Sequence, residues 1–108
     1  MNDSYEKLAS SRPANTNEAE LYAVPADSQI VATLYVCNQD SSTRQYRVAL
    51  TDSAGAAGND DWIIYDQDLL ANITHRVGPL SLTGGETIRI KASTANVISF
   101  VLTGLKVA

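Results

Sequence analysis

The feature that most limits what this chain can fold into is its rhythm. Short runs of β-branched and aromatic residues are each closed by a cluster of turn-formers, roughly every 8–12 residues. Gln29-Ile30-Val31-Ala32-Thr33-Leu34-Tyr35-Val36-Cys37 is the richest run, apolar on both faces like a central strand. Asn38 to Ser42 then supplies short polar side chains that bond their own backbone. Arg44 to Thr51 alternates cleanly, with Tyr46, Val48 and Leu50 on one face and Gln45, Arg47, Ala49 and Thr51 on the other. That period of two is the mark of a half-buried strand.

The rest of the chain repeats the theme. Leu21-Tyr22-Ala23-Val24 is a short strand stopped by Pro25, and Ser53 to Asp61, with Gly55 and Gly58, is a loop. Trp62-Ile63-Ile64-Tyr65 begins another strand, followed by a turn or bend over Asp66 to Leu70. Asn72 to Val77 reads as a strand ended by Gly78-Pro79, and Gly84-Gly85 as a tight turn. Thr87 to Ala92 alternates with Ile88, Ile90 and Ala92 inward. Val97 to Val107 is the last long strand, interrupted at Gly104 and apolar on both faces. The expected fold is all-β: an antiparallel β-sandwich of about 7–8 strands, Ig-like or jelly-roll-like.

Two units are expected along the 108 residues. Residues 21–108 make the sandwich, a size that admits one core. Residues 1–20 differ, since from Asn2 to Glu20 the only large apolar side chains are Tyr5 and Leu8. Such a stretch buries too little surface to offset its ordering entropy. It is read as an extended arm, either a frayed end or a segment that docks on a neighbouring subunit through Tyr5 and Leu8. A helical turn over residues 5–10 is weakly signalled.

Charge and rare residues narrow the function. Eight Lys+Arg against twelve Asp+Glu give a net charge of −4. That balance argues against nucleic acid as a partner, because displacing counterions from phosphates takes a basic surface. No apolar run reaches the length of a membrane-spanning helix, and Met1 to Glu6 has no secretory-signal pattern. The one cysteine, Cys37, allows no intrachain disulfide, and is read as a small buried hydrophobe. The one histidine, His75, has no nucleophile elbow near it in sequence, and is read as a strand residue facing solvent or a subunit. Asp60, Asp61, Asp66 and Asp68 lack the alternate spacing of a calcium loop and are read as solvated turn residues. No catalytic, cofactor or metal residue is therefore assigned, and an enzyme is not expected. The aromatics Tyr22, Tyr35, Tyr46, Trp62 and Tyr65 either fill the core and its margins or, if aligned outward, form a glycan-stacking platform.

With the strands placed, a set of short motifs stands out. They are Leu21-Tyr22-Ala23-Val24-Pro25-Ala26, the strand end Cys37-Asn38, Tyr46-Arg47-Val48-Ala49 and Trp62-Ile63-Ile64-Tyr65-Asp66. A Gly-Gly-Glu turn precedes Ile88 to Ser93, and Ser99-Phe100-Val101-Leu102-Thr103-Gly104 closes the series. Over about Leu21 to Val107 the chain resembles the small β-sandwich virion proteins of tailed bacteriophages, especially phages of cyanobacteria and marine bacteria. The resemblance implies a non-enzymatic building block of the particle: capsid decoration, or a tail, baseplate or fibre component. It implies location in the virion after assembly in the host cytoplasm, with the major capsid or tail proteins as partners. Self-association is expected as well, as a trimer by analogy, through surfaces that include Trp62, Tyr65, Phe100 and Leu105. The competing expectation is a glycan-binding module for host-cell attachment.

Overall fold

The computed structural model describes residues 4–107. Eight strands make up the described chain: β1 (Ser4–Ser11), β2 (Ala19–Ala23), β3 (Gln29–Asn38), β4 (Arg44–Thr51), β5 (Trp62–Leu69), β6 (Thr74–Thr83), β7 (Thr87–Ala92) and β8 (Ile98–Val107). They form two four-stranded antiparallel sheets, ordered β1-β8-β3-β6 and β2-β7-β4-β5. The pairs β1–β8, β2–β7, β3–β6 and β4–β5 nest like one long hairpin rolled into a sandwich. Of the two expected architectures, this connectivity is that of the jelly roll.

Alternation on the strands builds the core. On β3, Ile30, Ala32, Leu34, Val36 and Asn38 are buried, and on β8, Ile98, Phe100 and Leu102 lie opposite them. The other sheet answers with Tyr46, Val48, Ile88, Ile90 and Ala92. Tyr46 meets Phe100 edge-on at 6.3 Å between centroids, so one large ring from each sheet fills the middle. Asn38 is fully buried, and its amide donates to the Ser42 and Leu69 carbonyls at 2.8 and 2.9 Å. Its side-chain oxygen accepts from Asp40 N–H at 2.9 Å, so the buried amide is satisfied while it pins the β3–β4 turn.

Several expectations change here. The segment read as an arm is part of the sandwich: β1 pairs with β8, and Leu8 and Ala9 pack against the core. Its strand needs few apolar side chains because, at the sheet edge, the backbone ladder to β8 supplies the bonds. The linking residues are tied down too, since Asn96 N–H donates to the Pro13 carbonyl at 2.8 Å. Phe100, expected at an interface, is fully buried. Cys37, expected to be buried, is half-exposed on the outer face of β3. β3 is central in its sheet, but only one of its faces is covered, with Val31 and Tyr35 exposed on the other. β6 runs through Gly78-Pro79 to Thr83, and β8 runs through Gly104. At Gly104 a Cβ would strike the Val31 carbonyl and the Ala32 backbone, so glycine lets β8 sit tight on β3.

The four inner strands pair with one another without a break, whereas every edge strand is bulged. The extra residues are Leu8 on β1, Leu21 on β2, Ile63 and the Tyr65-Asp66 pair on β5, and Gly78-Pro79 on β6. Bulges twist an edge and interrupt its row of free N–H and C=O groups. Strand addition at an edge is thereby discouraged on all four sides.

Candidate functional sites

Three surfaces carry side chains beyond what the core needs. The first is the outer face of the β1-β8-β3-β6 sheet. Register places Tyr5, Leu105, Val31 and Ser81 in one row across it, and Ser10, Val101, Tyr35 and Arg76 in another. Tyr5 is 84% exposed, Val31 48% and Tyr35 38%, while Leu105 and Val101 are half-buried by their neighbours. The outward positions carry two cations, Lys7 and Arg76, and no carboxylate. Of the residues expected at an interface, Tyr5 and Leu105 lie here and adjacent, whereas Leu8 turns toward the core.

The second surface is the outer face of β4 and β5. The bulge at Tyr65-Asp66, with Asp66 at φ 50°, turns the Asp66 carboxylate toward Arg47. Arg47 Nε and Nη2 donate to Asp66 at 2.6 and 3.0 Å, a bidentate pair. The hydrogen bond from Arg47 and its charge hold the Asp66 carboxyl below its ordinary pKa, against a smaller opposing effect of burial. The same guanidinium lies 3.8 Å from the Tyr65 ring centroid and 5.6 Å from that of Trp62. Trp62 and Tyr65 meet at 75° with centroids 5.8 Å apart. The rings are together, but crossed, and Arg47 occupies one face of Tyr65. This is not a flat row of rings. Next to it the β4–β5 loop folds back: Glu18 accepts from Ala57 N–H at 2.9 Å and from Arg89 Nε. Ala49, Thr51 and Thr87 are buried on this side, and the Thr51 and Thr87 hydroxyls bond each other.

The third is a cleft of about 440 Å³ on the flank where β5 and β6 leave the sandwich open. Tyr46, Ile64, Gln67, Thr74, His75, Arg76 and Val77 line it. His75 is half-buried and faces the other sheet, not solvent or a subunit as expected from sequence. Its Nδ1 lies 2.9 Å from the Tyr46 hydroxyl. Burial pushes the Tyr46 pKa up, so its phenol stays protonated. That hydroxyl has no other partner among the described residues. The two share one hydrogen bond, in which either the hydroxyl or the ring nitrogen is the donor, depending on the tautomer of His75. Sequence reasoning missed this site because its members lie on three strands, and Tyr46 and His75 are read separately along the chain.

No cluster of three or more His, Cys, Asp or Glu that could hold a metal occurs among the described residues. No protein-family model matches the chain, and no curated protein matches it either.

Proposed function

We propose that this chain is a non-enzymatic structural protein of a tailed-phage virion that self-associates and docks on a larger capsid or tail component. The observation that carries the reading is the apolar outer face of the β1-β8-β3-β6 sheet, exposed on a molecule whose four edges are all bulged. Edges of that kind discourage strand addition, which leaves faces for association. Four strands at about 4.8 Å spacing and about ten residues of about 3.3 Å rise project roughly 600 Å². With side-chain relief, that approaches the roughly 800 Å² per partner of a standard interface. The jelly roll recurs in capsid proteins, which supports the reading by analogy of fold, as does the resemblance of Leu21 to Val107 to phage virion proteins.

Charge favours one mode of self-association. Two copies laid face to face would bring Lys7 and Arg76 of each into one cationic contact. The loops at one end of the sandwich (24–28, 52–61 and 84–86) instead carry Asp27, Asp52, Asp60, Asp61 and Glu86 and no Lys or Arg. A sheet face set against a neighbour's acidic end is a heterologous contact, the kind that closes into rings such as a trimer. Sedimentation velocity at rising concentration tests this. Wild type should assemble, and Val31→Glu with Tyr35→Glu should stay monomeric while keeping its fold by circular dichroism. A wild-type monomer at about 1 mM, or a double variant that assembles as well as wild type, overturns the reading.

A further inference from the structure

The exposed large apolar side chains fall into two groups. Tyr5, Val31 and Tyr35 belong to the outer sheet face, whereas Ile63, Tyr65, Leu70 and Ile73 lie on β5 and the turn that follows it. The second group borders the flank cleft: Ile63 and Tyr65 sit either side of Ile64, and Ile73 precedes Thr74. The turn itself is held firmly. Ile73 N–H donates to the Leu70 carbonyl at 3.2 Å, with Asn72 at φ 59°. The buried Asn38 donates through its side chain to the Leu69 and Leu70 carbonyls at 2.9 and 3.3 Å, and through its backbone to that of Ile73 at 3.0 Å. Leu70 and Ile73 are thus 59% and 44% exposed on a support that need not be ordered on binding. No carboxylate lines the cleft among the described residues, since those of β5 are bonded to β4, Asp66 to Arg47 and Asp68 to Gln45 at 3.0 Å.

We propose that the β5–β6 flank is a second assembly surface, through which a ring of this chain pairs with a second ring of the same chain. The inference rests on the assembly proposed above, which supplies the ring and uses neither the flank nor its turn. A second copy fits because tip and cleft lie side by side on one flank. A two-fold axis between them sets Leu70 and Ile73 of each copy against Ile64 and Val77 of the other, an isologous contact. The bulges of β5 and β6 leave side chains, not a shared ladder, to make it. Copies that each carry a net charge of −4 repel least where the facing cleft holds no carboxylate. Area explains why the ring is needed. At about 3.3 Å per residue β5 is about 26 Å long, and two sheets about 10 Å apart with their side chains make a flank about 20 Å thick. Each copy then offers about 500 Å², short of the roughly 800 Å² of a standard interface. One flank alone leaves chains unpaired, whereas the flanks of a trimeric ring engage together and gain by avidity.

The test is light scattering with sedimentation velocity on the full chain at rising concentration. Wild type should form the ring and then a species of twice its mass. Leu70→Glu with Ile73→Glu, both exposed on the turn, should reach the ring and stop there. Gln67→Lys, an exposed position lining the cleft, should stop at the same point without altering the tip. Val31→Glu with Tyr35→Glu removes the ring and should stay monomeric, because one flank is too small to pair it. A wild type that stops at the ring overturns the inference and leaves the assembly reading standing. A tip or cleft variant that doubles like wild type overturns it too. A tip variant that folds by circular dichroism but forms no ring would put the turn in the ring contact and overturn it as well. Should the tip variant fail to fold, Gln67→Lys decides alone. A monomeric wild type overturns both readings, and its mass identifies that case.

Discussion

The Tyr46 hydroxyl lies 2.9 Å from Nδ1 of His75 and so ties β4 of one sheet to β6 of the other on the sandwich's open flank. Opposite, β1 and β2 close the other flank by direct contact. Tyr46→Phe keeps the ring against Phe100 and removes only the cross-sheet bond. Urea unfolding should show a loss of about 0.5–1.5 kcal/mol. Tyr46→Ala, which also empties a core site, should lose about 3–5 kcal/mol. If Tyr46→Phe unfolds at the wild-type urea midpoint, the bond contributes nothing to holding that flank.

The first strand gives a sharper prediction, because the sequence argues against its importance. Removing residues 2–11 takes away the ladder of β1 on β8 and uncovers the core where Leu8 and Ala9 pack. The exposed edge would be β8, an unbroken inner strand without a protective bulge. The truncated chain should lose its cooperative thermal transition or aggregate on heating. A Tm equal to that of the full chain would mean that the strand is an ornament on a sandwich complete without it.

Acid should loosen the β4–β5 loop before it unfolds the core. Burial raises the Glu18 pKa, but the hydrogen bonds from Ala57 N–H and Arg89, with the Arg89 charge, outweigh it and leave the carboxyl below its ordinary value of 4.5. A carboxyl depressed in the folded state contributes stability above its unfolded pKa, and that contribution fades as the pH falls through the folded one. The window therefore opens near pH 4.5 and extends below it. Hydrogen exchange, corrected for its intrinsic pH dependence, should show Ala57 N–H losing protection there. Glu18→Gln should show the weaker latch already at neutral pH. Unchanged Ala57 protection across that range would remove Glu18 as the latch.

What could be read in the sequence follows from where each strand sits. β7 and the inner part of β4 obey a plain period of two because they are inner strands with unbroken ladders, and Ile88, Ile90, Tyr46 and Val48 fall inward as the alternation requires. The edge strands conceal themselves. On β5 the bulge at Tyr65-Asp66 breaks the period, and on β6 Gly78-Pro79 looks like a stop, although an edge strand tolerates a residue with no N–H to give. β1 is the extreme case: SYEKLASS has only Tyr5, Leu8 and Ala9 as apolar residues, without a period of two, and nothing local marks it as the partner of a strand some ninety residues on. The cleft was illegible for a related reason. His75 and Tyr46 meet only because β6 and β4 belong to different sheets, a relation no spacing along the chain encodes.

Arg47 and Val48 put both lessons into one experiment. Alternation assigns them to opposite faces, and the structure agrees: Val48 is fully buried and Arg47 lies on the outer side. From sequence alone, Arg47 would be a solvated side chain that any polar residue could replace. Instead its guanidinium joins Asp66 to the Tyr65 ring and fastens the β5 bulge to β4. Val48→Asp should place a carboxylate among apolar side chains and lose at least about 3 kcal/mol. Arg47→Asp should not be silent, because it sets a second carboxylate against Asp66 and frees both rings. Its Tm should fall clearly, though less than that of Val48→Asp, and Trp62 fluorescence should change as the cluster opens. Added salt should recover part of the Arg47→Asp loss by screening the repulsion and none of the Val48→Asp loss. An Arg47→Asp variant with wild-type Tm and wild-type fluorescence would reduce the cluster to a surface decoration.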